Sequence, residues 1–485
     1  MTISGSLFNA LSGLAAASRA AELVSTNVAN SMTEGYGMRT LEVSSQALAG
    51  KGYGVQIGGV IRNVDEGLIE DRRLAQASVG YGSTLSEFLS KLEATIGTPD
   101  QPGSLSGRLA LFEGALVEAS ARPDSEARLS AVLTSAQGVV QHLNTTSDTI
   151  QNARMDADRE IAFQVGQLNA GLQSVQSLNY DIQESLARGQ DPSSLLDARQ
   201  QAIDKLSAII PLKQVPRENG QIALFTPGGA IVLDGRAAEI GFTQAGFIVP
   251  EMTLASAALS GLTINGIETR TEGDRSPIAG GSLAALFEIR DQLAVTAQSQ
   301  LDAVARDLVE RFQDPALDGT RAPGAPGLFT DTGAAFVATD EVALSSRLSV
   351  ISVVDPDQGG ALWRLRDGLG AAVPGDVGNG ALLVDLTTAL TANRVPASGG
   401  ITLAARSASG LAAEYLSLVG AQKRDSDASL GFSTAQHETL KLMELETGVD
   451  TDNEMQKLML IEQAYAANAK VMTTMDDMLQ LLMRI

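Results

Sequence analysis

The apolar residues near both ends of the chain repeat with the period of a coiled coil. Between residues 2 and 28, and again along the C-terminal segment, they are separated alternately by three and four positions. Such a heptad repeat predicts a helix whose apolar seam packs against a partner helix. The N-terminal seam consists of Ile3, Leu7, Ala10, Leu14, Ala17, Ala21, Val24 and Val28. The C-terminal seam consists of Leu458, Ile461, Tyr465, Asn468, Met472, Met475, Leu479 and Leu482.

These two seams form a candidate assembly interface. The N-terminal seam is rich in alanine, so a partner helix can approach closely, but such a helix buries little area alone and is marginal in water. Asn468 is a polar residue at a seam position, where an amide fixes the register of a coiled coil at some cost in stability. Because both chain ends carry a seam, we expect the two terminal helices to pair in antiparallel fashion.

The chain between the seams is predicted to be a helical rod interrupted by two regions that differ from it in composition and in the spacing of their apolar residues. After Pro123 no proline occurs until Pro192, and the apolar positions keep a helical spacing. One helix over 124–187 would be about 95 Å long at about 1.5 Å per residue. Further helices are predicted over 65–96, 105–120, 193–209, 282–312, 406–446 and 452–484.

Two segments rich in glycine and proline carry short apolar runs that are typical of strands. In the first, 212–280, Asn265-Gly266 predicts a hairpin because this dipeptide suits a type I′ turn. The second, 315–405, has a similar composition and similar short apolar runs. The glycine-rich stretch 38–64 is also expected to be extended.

The predicted fold class is mainly α with inserted β domains. Both chain ends form a long antiparallel coiled-coil or helical-bundle rod, and the small β domains face outward. The predicted domains are a terminal coiled-coil core (1–40 with 450–485), a helical rod (41–211 with 281–314 and 406–449), a β domain (212–280) and a second β-rich region (315–405).

Composition narrows the possible functions. Lys and Arg total 35 and Asp and Glu total 57, which gives a net charge of −22. This charge repels phosphate backbones, and no basic run offsets it. The chain has no cysteine and only two histidines, His142 and His437, which argues against thiolate chemistry and a multi-histidine metal site. We therefore expect no metal, no cofactor, no nucleic-acid partner and no membrane insertion.

No catalytic residue is predicted. The acidic run from Asp450 to Glu454 resembles a calcium loop, but Met455 occupies the position where such a loop needs glycine, so we interpret the run as a helix N-cap and first turn. No pair of Asp or Glu residues is singled out by its spacing. A secreted glycan-acting enzyme housed in the β regions is the alternative from a different functional class.

Both ends resemble the terminal signatures of bacterial flagellar axial proteins, and within that group the chain is most similar to the FlgK family of hook-associated proteins. Its length, its extended helical region and the segment 280–283 before a helix with Arg290-Asp291 favour that family. Glu34 departs from the proline that the family usually has. The segments that carry the resemblance are 6–14, 27–30, 33–36, 454–455, 463–465, 467–471 and 478–479.

The resemblance implies a structural, non-enzymatic subunit of the extracellular bacterial flagellum, placed between hook and filament. It implies export in an unfolded form through the flagellar type III channel and polymerisation through the terminal helices. The implied partners are further copies of the chain in a ring, the hook protein, the neighbouring hook-associated junction protein, and an export chaperone on the C-terminal helix. Another axial protein, of the hook or distal rod type, is the nearest alternative.

Overall fold

The computed structural model describes residues 3–48, 51–273 and 275–483. Within them the chain is mainly helical with small antiparallel sheets, as the sequence predicts. Met1, Thr2, Arg484 and Ile485, which the predicted terminal domain includes, lie outside the described residues, as does the side chain of Ile3. The helices are α1 (Ile3–Ala29), α2 (Glu66–Ile96), α3 (Leu105–Ala121), α4 (Glu126–Ala187), α5 (Ser193–Ser207), α6 (Ser282–Glu288), α7 (Ala294–Gln313), α8 (Leu344–Arg347), α9 (Arg364–Asp367), α10 (Ala381–Thr391), α11 (Ala408–Thr447) and α12 (Thr451–Met483). The strands are β1 (Met38–Leu48), β2 (Lys51–Asn63), β3 (Lys213–Pro216), β4 (Ile222–Phe225), β5 (Ile231–Asp234), β6 (Arg236–Ala237), β7 (Ile240–Gly241), β8 (Leu262–Ile264), β9 (Ile267–Thr269), β10 (Phe329–Asp331) and β11 (Leu348–Val350).

Helix α4 is the axis of the body. It runs unbroken for 62 residues, or about 93 Å at about 1.5 Å per residue, so the prediction of one helix over 124–187 is confirmed. Its buried residues recur every three or four positions, from Leu129 near one end to Ile182 near the other. Helices α3, α5, α6 and α7 pack along it. The apolar stripe of α4 therefore carries the core along most of the body.

The segment 212–280 forms two small antiparallel sheets, in the strand orders β3-β4-β5-β6 and β7-β8-β9. The predicted Asn-Gly hairpin joins β8 to β9, and Asn265 and Gly266 adopt φ angles of 52° and 76°, as a type I′ turn requires. Buried side chains of this segment, such as Leu224 and Leu262, belong to the same core cluster as those of the helices. The sheets therefore share the hydrophobic core of the helical body.

The prediction of a second β-rich region over 315–405 was wrong. The strands described there are β10 and β11, which pair with each other, and an isolated bridge joins Arg394 to Arg406. Helices α8, α9 and α10 and a series of tight turns occupy much of the remainder. Pro356, for example, begins a 3₁₀ turn that Gly359 ends at a φ of 83°. Short apolar runs between glycines look alike whether they fill a strand or anchor a turn.

A buried ion cluster joins α4 to the sheet segment. Arg290 lies in the π-helical turn between α6 and α7, and its side chain is fully buried. Its guanidinium contacts Asp158 of α4 at 2.7 Å and Asp291 at 2.9 Å, and Nη2 donates to the carbonyl of Ser260 at 2.9 Å. Removing one member of such a cluster leaves uncompensated buried charge. Arg290 therefore holds three segments together.

We expect Arg290→Met to lower the free energy of unfolding by about 3–5 kcal/mol, because Asp158 and Asp291 would stay buried without their cation. Urea unfolding followed by circular dichroism measures this. The matched control is Arg159→Met on α4, where the side chain is two-thirds exposed and the change should stay within about 0.5 kcal/mol. Equal losses in the two variants would contradict the assignment.

Candidate assembly interface

The two terminal helices lie side by side and run in opposite directions. Asn27, near the end of α1, donates a hydrogen bond of 2.9 Å to Glu454 in the first turn of α12. Gly13 of α1 faces Asn468 of α12. The same number of residues separates these two contacts on each helix, so they describe one antiparallel register along the pair.

Beyond Leu458 and as far as Leu479, one row of the α12 seam is half-buried and the alternate row lies in solvent. The half-buried seam residues are Leu458, Ile461, Asn468 and Met475. The open row, as we call it, consists of Tyr465, Met472 and Leu479, whose exposed fractions are 48%, 37% and 37%. Leu482, close to the end of the helix, is 59% exposed. The predicted α12 seam is therefore only partly used within one chain.

The α1 seam is better covered. Ala10, Ala17 and Val24 are buried, and the alternate residues Leu7, Leu14, Ala21 and Val28 are half-buried. Alanine occupies three of these seven positions, so the neighbouring elements can pack close to the α1 backbone. Both α12 and the β1–β2 hairpin pack on α1 and contribute to this cover.

Apolar residues outside the seams are exposed as well. Phe8 and Leu11 of α1 are 56% and 53% exposed, and Met459, Leu460 and Leu481 of α12 are 55–65% exposed. Helix α12 is therefore apolar on more than one face. A helix of that kind is normally buried on most sides, and the heptad pattern missed this because it follows a single face.

Gly13 provides a notch for the side chain of Asn468. A Cβ placed on Gly13 would lie 2.8 Å from Nδ2 of Asn468 and 2.9 Å from its Cγ and Oδ1, closer than carbon atoms pack. The amide Nδ2 also donates to the carbonyl of Ala464, one turn earlier, at 2.9 Å. The amide is thus hydrogen-bonded within its own helix and lies against α1 at Gly13, and its role in register stays a prediction.

Asn27 connects α1, β1 and α12, a role that no local pattern in the sequence indicates. It is 1% exposed. Its Oδ1 accepts hydrogen bonds from the backbone N–H of Arg39 at 3.0 Å and the hydroxyl of Tyr36 at 2.8 Å, and its Nδ2 donates to the carbonyl of Arg39 and to Glu454, both at 2.9 Å. A side-chain amide offers these bonding positions on both sides. One buried side chain therefore fixes three segments.

The β1–β2 hairpin also packs on α1. The rings of Phe8 and Tyr53 are 5.5 Å apart, and the hydroxyl of Ser12 accepts a hydrogen bond of 3.1 Å from the backbone N–H of Val55. Gly54 has a φ of 91°, and a Cβ there would collide with the side chain of Ser12. Two successive residues of α1 thus contact different elements: Ser12 contacts the hairpin, and Gly13 contacts α12.

Asp197 of α5 holds the base of the hairpin. Its carboxylate accepts a hydrogen bond of 3.0 Å from the backbone N–H of Gly37 and forms ion pairs with Arg39 at 2.8 Å and Arg62 at 2.7 Å. These side chains are 11–15% exposed. Charge-assisted bonds of this kind are stronger than exposed ones, so Asp197 attaches both ends of the hairpin to the body.

A second ion cluster joins α2, α5 and α11 nearby. Asp204 contacts Arg72 at 2.7 Å and Arg73 at 2.6 Å, and Arg72 also pairs with Glu444. Because Glu444 lies one turn before the end of α11, the cluster holds the end of that helix against α2 and α5.

Glu34 occupies the turn after α1, where the resemblance leads one to expect proline. Its carboxylate accepts a hydrogen bond of 2.9 Å from Lys441 of α11, which lowers the pKa of Glu34. Its carbonyl accepts a bond of 2.8 Å from Gln201 of α5. The ion pair is exposed and contributes little stability by itself. The turn is completed by Gly35 at a φ of 77°.

The remaining motifs have structural roles. The Asp450 carboxylate accepts two hydrogen bonds from backbone N–H groups of the first turn of α12, so its interpretation as an N-cap is confirmed. His142 contacts the carbonyl of Ile96 at 3.2 Å, and burial lowers the pKa values of both His142 and His437. Within the described ranges, His, Asp and Glu side chains form no group of three placed to hold a metal ion, and no helix there has the length and apolarity needed to span a membrane.

Two family models match the sequence. The flagellar hook-associated protein FlgK helical domain matches residues 89–329, and the flagellar basal body rod FlgEFG protein C-terminal matches residues 446–485. The second match covers α12, and the first covers α3, α4 and the sheet segment. Together they assign the chain to the class of flagellar axial proteins. More specifically, the chain belongs to the FlgK family of hook-associated proteins.

Individual relatives agree with this assignment. Flagellar hook-associated protein 1 of Bacillus subtilis (strain 168) is 25% identical over 503 residues, which cover 96% of this chain and 95% of the relative. Flagellar hook-associated protein 1 of Salmonella typhimurium (strain LT2) is 29% identical over 241 residues, or 48% of this chain and 43% of the relative. The solved structure of the flagellar hook junction protein FlgK from Burkholderia pseudomallei aligns with 54% of this chain and 46% of its own at 19% identity. Its TM-score of 0.43 is too low to support an argument about the fold.

We expect Asn27→Ala to loosen the start of α12, because it removes the hydrogen-bond partner of the Arg39 backbone N–H, of the Tyr36 hydroxyl and of the Glu454 Oε2, and leaves Glu454 only its ion pair with Lys457. Native-state amide exchange should show the first turn of α12 opening more easily by about 2–3 kcal/mol. Asn30→Ala is the matched control, since Asn30 donates only within α1. Similar exchange in the two variants would show that Asn27 does not join the segments.

The notch at Gly13 is tested by a double-mutant cycle. In an Asn468→Ala background, Gly13→Ala should stabilise α1 by up to about 1 kcal/mol, because alanine is the better helix former. With Asn468 present, the new methyl group meets the amide, and the same change should destabilise α1. Amide exchange of α1 in the four full-length proteins measures the coupling, which we expect to reach about 1 kcal/mol or more.

The control for this cycle is Gly431→Ala on α11, where a Cβ meets nothing within 4 Å. That substitution should show no coupling to Asn468→Ala. If Gly13→Ala has the same effect with and without Asn468, the notch does not set the register.

Proposed function

We propose that the chain is a structural axial subunit at the junction between hook and filament, which polymerises through α1 and α12. The observation that carries this proposal is the open row of α12, lying in solvent beside a seam that α1 covers on one side only. Large apolar side chains aligned on one helix face require a partner surface. In the assembled state, terminal helices of neighbouring subunits would supply that surface.

The partners follow from the same surface and from the family. Further copies of the chain would form a ring in which α1 of one subunit packs against the open row on α12 of the next. The hook protein on one side and the neighbouring hook-associated junction protein on the other would continue the axial structure. The Bacillus subtilis relative supports this because it is a hook-associated protein that matches this chain over 96% of its length.

Export before assembly is consistent with the composition. We infer passage through the flagellar type III channel in an unfolded form and a final location in the extracellular flagellum. With no cysteine, the chain cannot be trapped by a disulfide in transit. The apolar faces of α12 would need cover before export, and an export chaperone bound to that helix would provide it.

A glycan-acting enzyme gains no support from the carboxylates. The Asp302 carboxylate is buried, and it accepts hydrogen bonds from the backbone N–H groups of Ala343 and Ser345 and from the Ser345 hydroxyl. Asp158 and Asp291 are bound to Arg290. These buried acids are engaged in structural bonds, whereas a glycosidase needs two carboxylates that face a bound sugar. The structural role is therefore the better explanation.

The assembly proposal predicts that Leu479→Asp abolishes incorporation at the hook while export continues, because a charge would enter an apolar contact at a cost of several kcal/mol. Leu14→Asp should act in the same way from α1. Secreted and cell-attached protein are measured separately in motile cells. Gln463→Asp on α12, opposite the seam, introduces the same charge and should be tolerated. Normal filaments from both seam variants would refute assembly through the terminal pair.

A further inference from the structure

Arg199 of α5 is a buried guanidinium whose hydrogen bonds go only to neutral groups. The residue is 7% exposed. Its Nη1 donates to the side-chain oxygen of Asn179 at 2.9 Å and to the carbonyl of Gly220 at 2.7 Å. Its Nε and Nη2 have no hydrogen-bond partner among the described residues, and none of their carboxylates lies within ion-pair distance. A buried charge without a counter-charge is unfavourable.

Arg154 of α4 shows how the protein satisfies a buried arginine by itself. It is 1% exposed and, like Arg199, lacks a carboxylate. Its Nε, Nη1 and Nη2 all donate, however, to the carbonyl groups of Arg290, Val249 and Met252 respectively. In Arg199 the Nε–Nη2 edge is unused. This edge is one of those with which arginine binds an oxyanion through two parallel hydrogen bonds.

Beside Arg199 lies a cavity of about 210 Å³. It is bordered by four elements: the end of β2, the first turns of α2, helix α5 and strand β3. A single water needs about 10–15 Å³ of such space, so the cavity has room for an anion with several oxygen atoms. The charged residues in its lining are Arg62, Arg73, Arg199, Glu66 and Glu70.

The other two arginines of this lining each have an ion-pair partner. Arg62 is paired with Asp197, which it shares with Arg39, and Arg73 with Asp204, which it shares with Arg72. Glu66, in the first turn of α2, is exposed and forms no ion pair with any described residue. Among the arginines of this lining, Arg199 is therefore the one without an ion-pair partner among the described residues, and Glu66, whose charge favours the Arg199 cation without contacting it, is the side chain that would compete with an added anion.

We propose that this cavity binds a small oxyanion of the sulfate or phosphate type, with the Nε–Nη2 edge of Arg199 as the main donor and Nη1 of Arg62 as the second. Burial, reinforced by the positive charges of Arg62 and Arg73, lowers the pKa of Arg199 to about 10, and an anion would relieve that cost. Bound there, the ion joins the end of β2 to α5, so it strengthens the attachment of the hairpin to the body. The site does not depend on the proposed assembly.

Equilibrium dialysis of the full chain with radiolabelled sulfate, at constant ionic strength set by sodium chloride, tests the site. One sulfate should bind per chain, and Arg199→Gln should weaken binding about tenfold or more, because two charge-assisted hydrogen bonds are lost. The control is Arg217→Gln, an exposed arginine after β3 that pairs with Asp234. This control should leave sulfate binding unchanged.

A second variant keeps the test decisive if Arg199→Gln fails to fold. Glu66→Gln removes an exposed negative charge from the cavity wall and should tighten sulfate binding roughly threefold. Crystals soaked in selenate should show an anomalous peak within hydrogen-bond reach of Arg199. Lack of saturable sulfate binding, equal affinities in Arg199→Gln and Arg217→Gln, or no selenate peak in the cavity would overturn the proposal.

Discussion

The meeting of the two chain ends is the constraint on which the rest of the structure depends. Asn27 and Glu454 are separated by 427 residues in sequence, yet their side chains are 2.9 Å apart. Closing so long a loop costs entropy that rises only slowly with its length, but it still requires the body to fold so that α1 leaves and α12 returns at the same place. The unbroken α4, the cluster at Asp204 and the hairpin base at Asp197 provide that framework.

Polar and apolar contacts occupy different parts of the terminal pair. At the end near the body, a buried amide and a buried carboxylate fix direction, because each has a specific set of partners. Farther along, small side chains and the notch at Gly13 let the helices approach closely, while the open row of α12 remains in solvent. Directional bonds set the geometry of the pair, and the apolar rows leave exposed area that the proposed assembly would bury.

The helices and the sheets of the body form one packed unit, rather than a helical rod that carries separate β domains. The sheets of 212–280 bury their side chains in the helical core, and Arg290 ties the sheet segment to α4 through Asp158. Close-packed interiors transmit strain instead of absorbing it, so the helices and the sheets of this shared core are mechanically coupled. The cavity at Arg199 lies at the join between this unit and the hairpin.

The sequence by itself determined the elements with long, regular patterns: the heptads of α1 and α12, the single helix α4 and the Asn-Gly hairpin. These follow from periodicity and turn chemistry, which are local. The sequence did not determine the structure of 315–405, because short apolar runs between glycines carry no period. Nor did it single out Asn27, Asp197 or the Gly13 notch as parts of the site. Glu454 lies 427 residues from Asn27, and Gly37 lies 160 residues from Asp197. Asn468 lies on the opposite terminal helix from Gly13, so only the tertiary structure, by closing the chain on itself, decided that these residues meet.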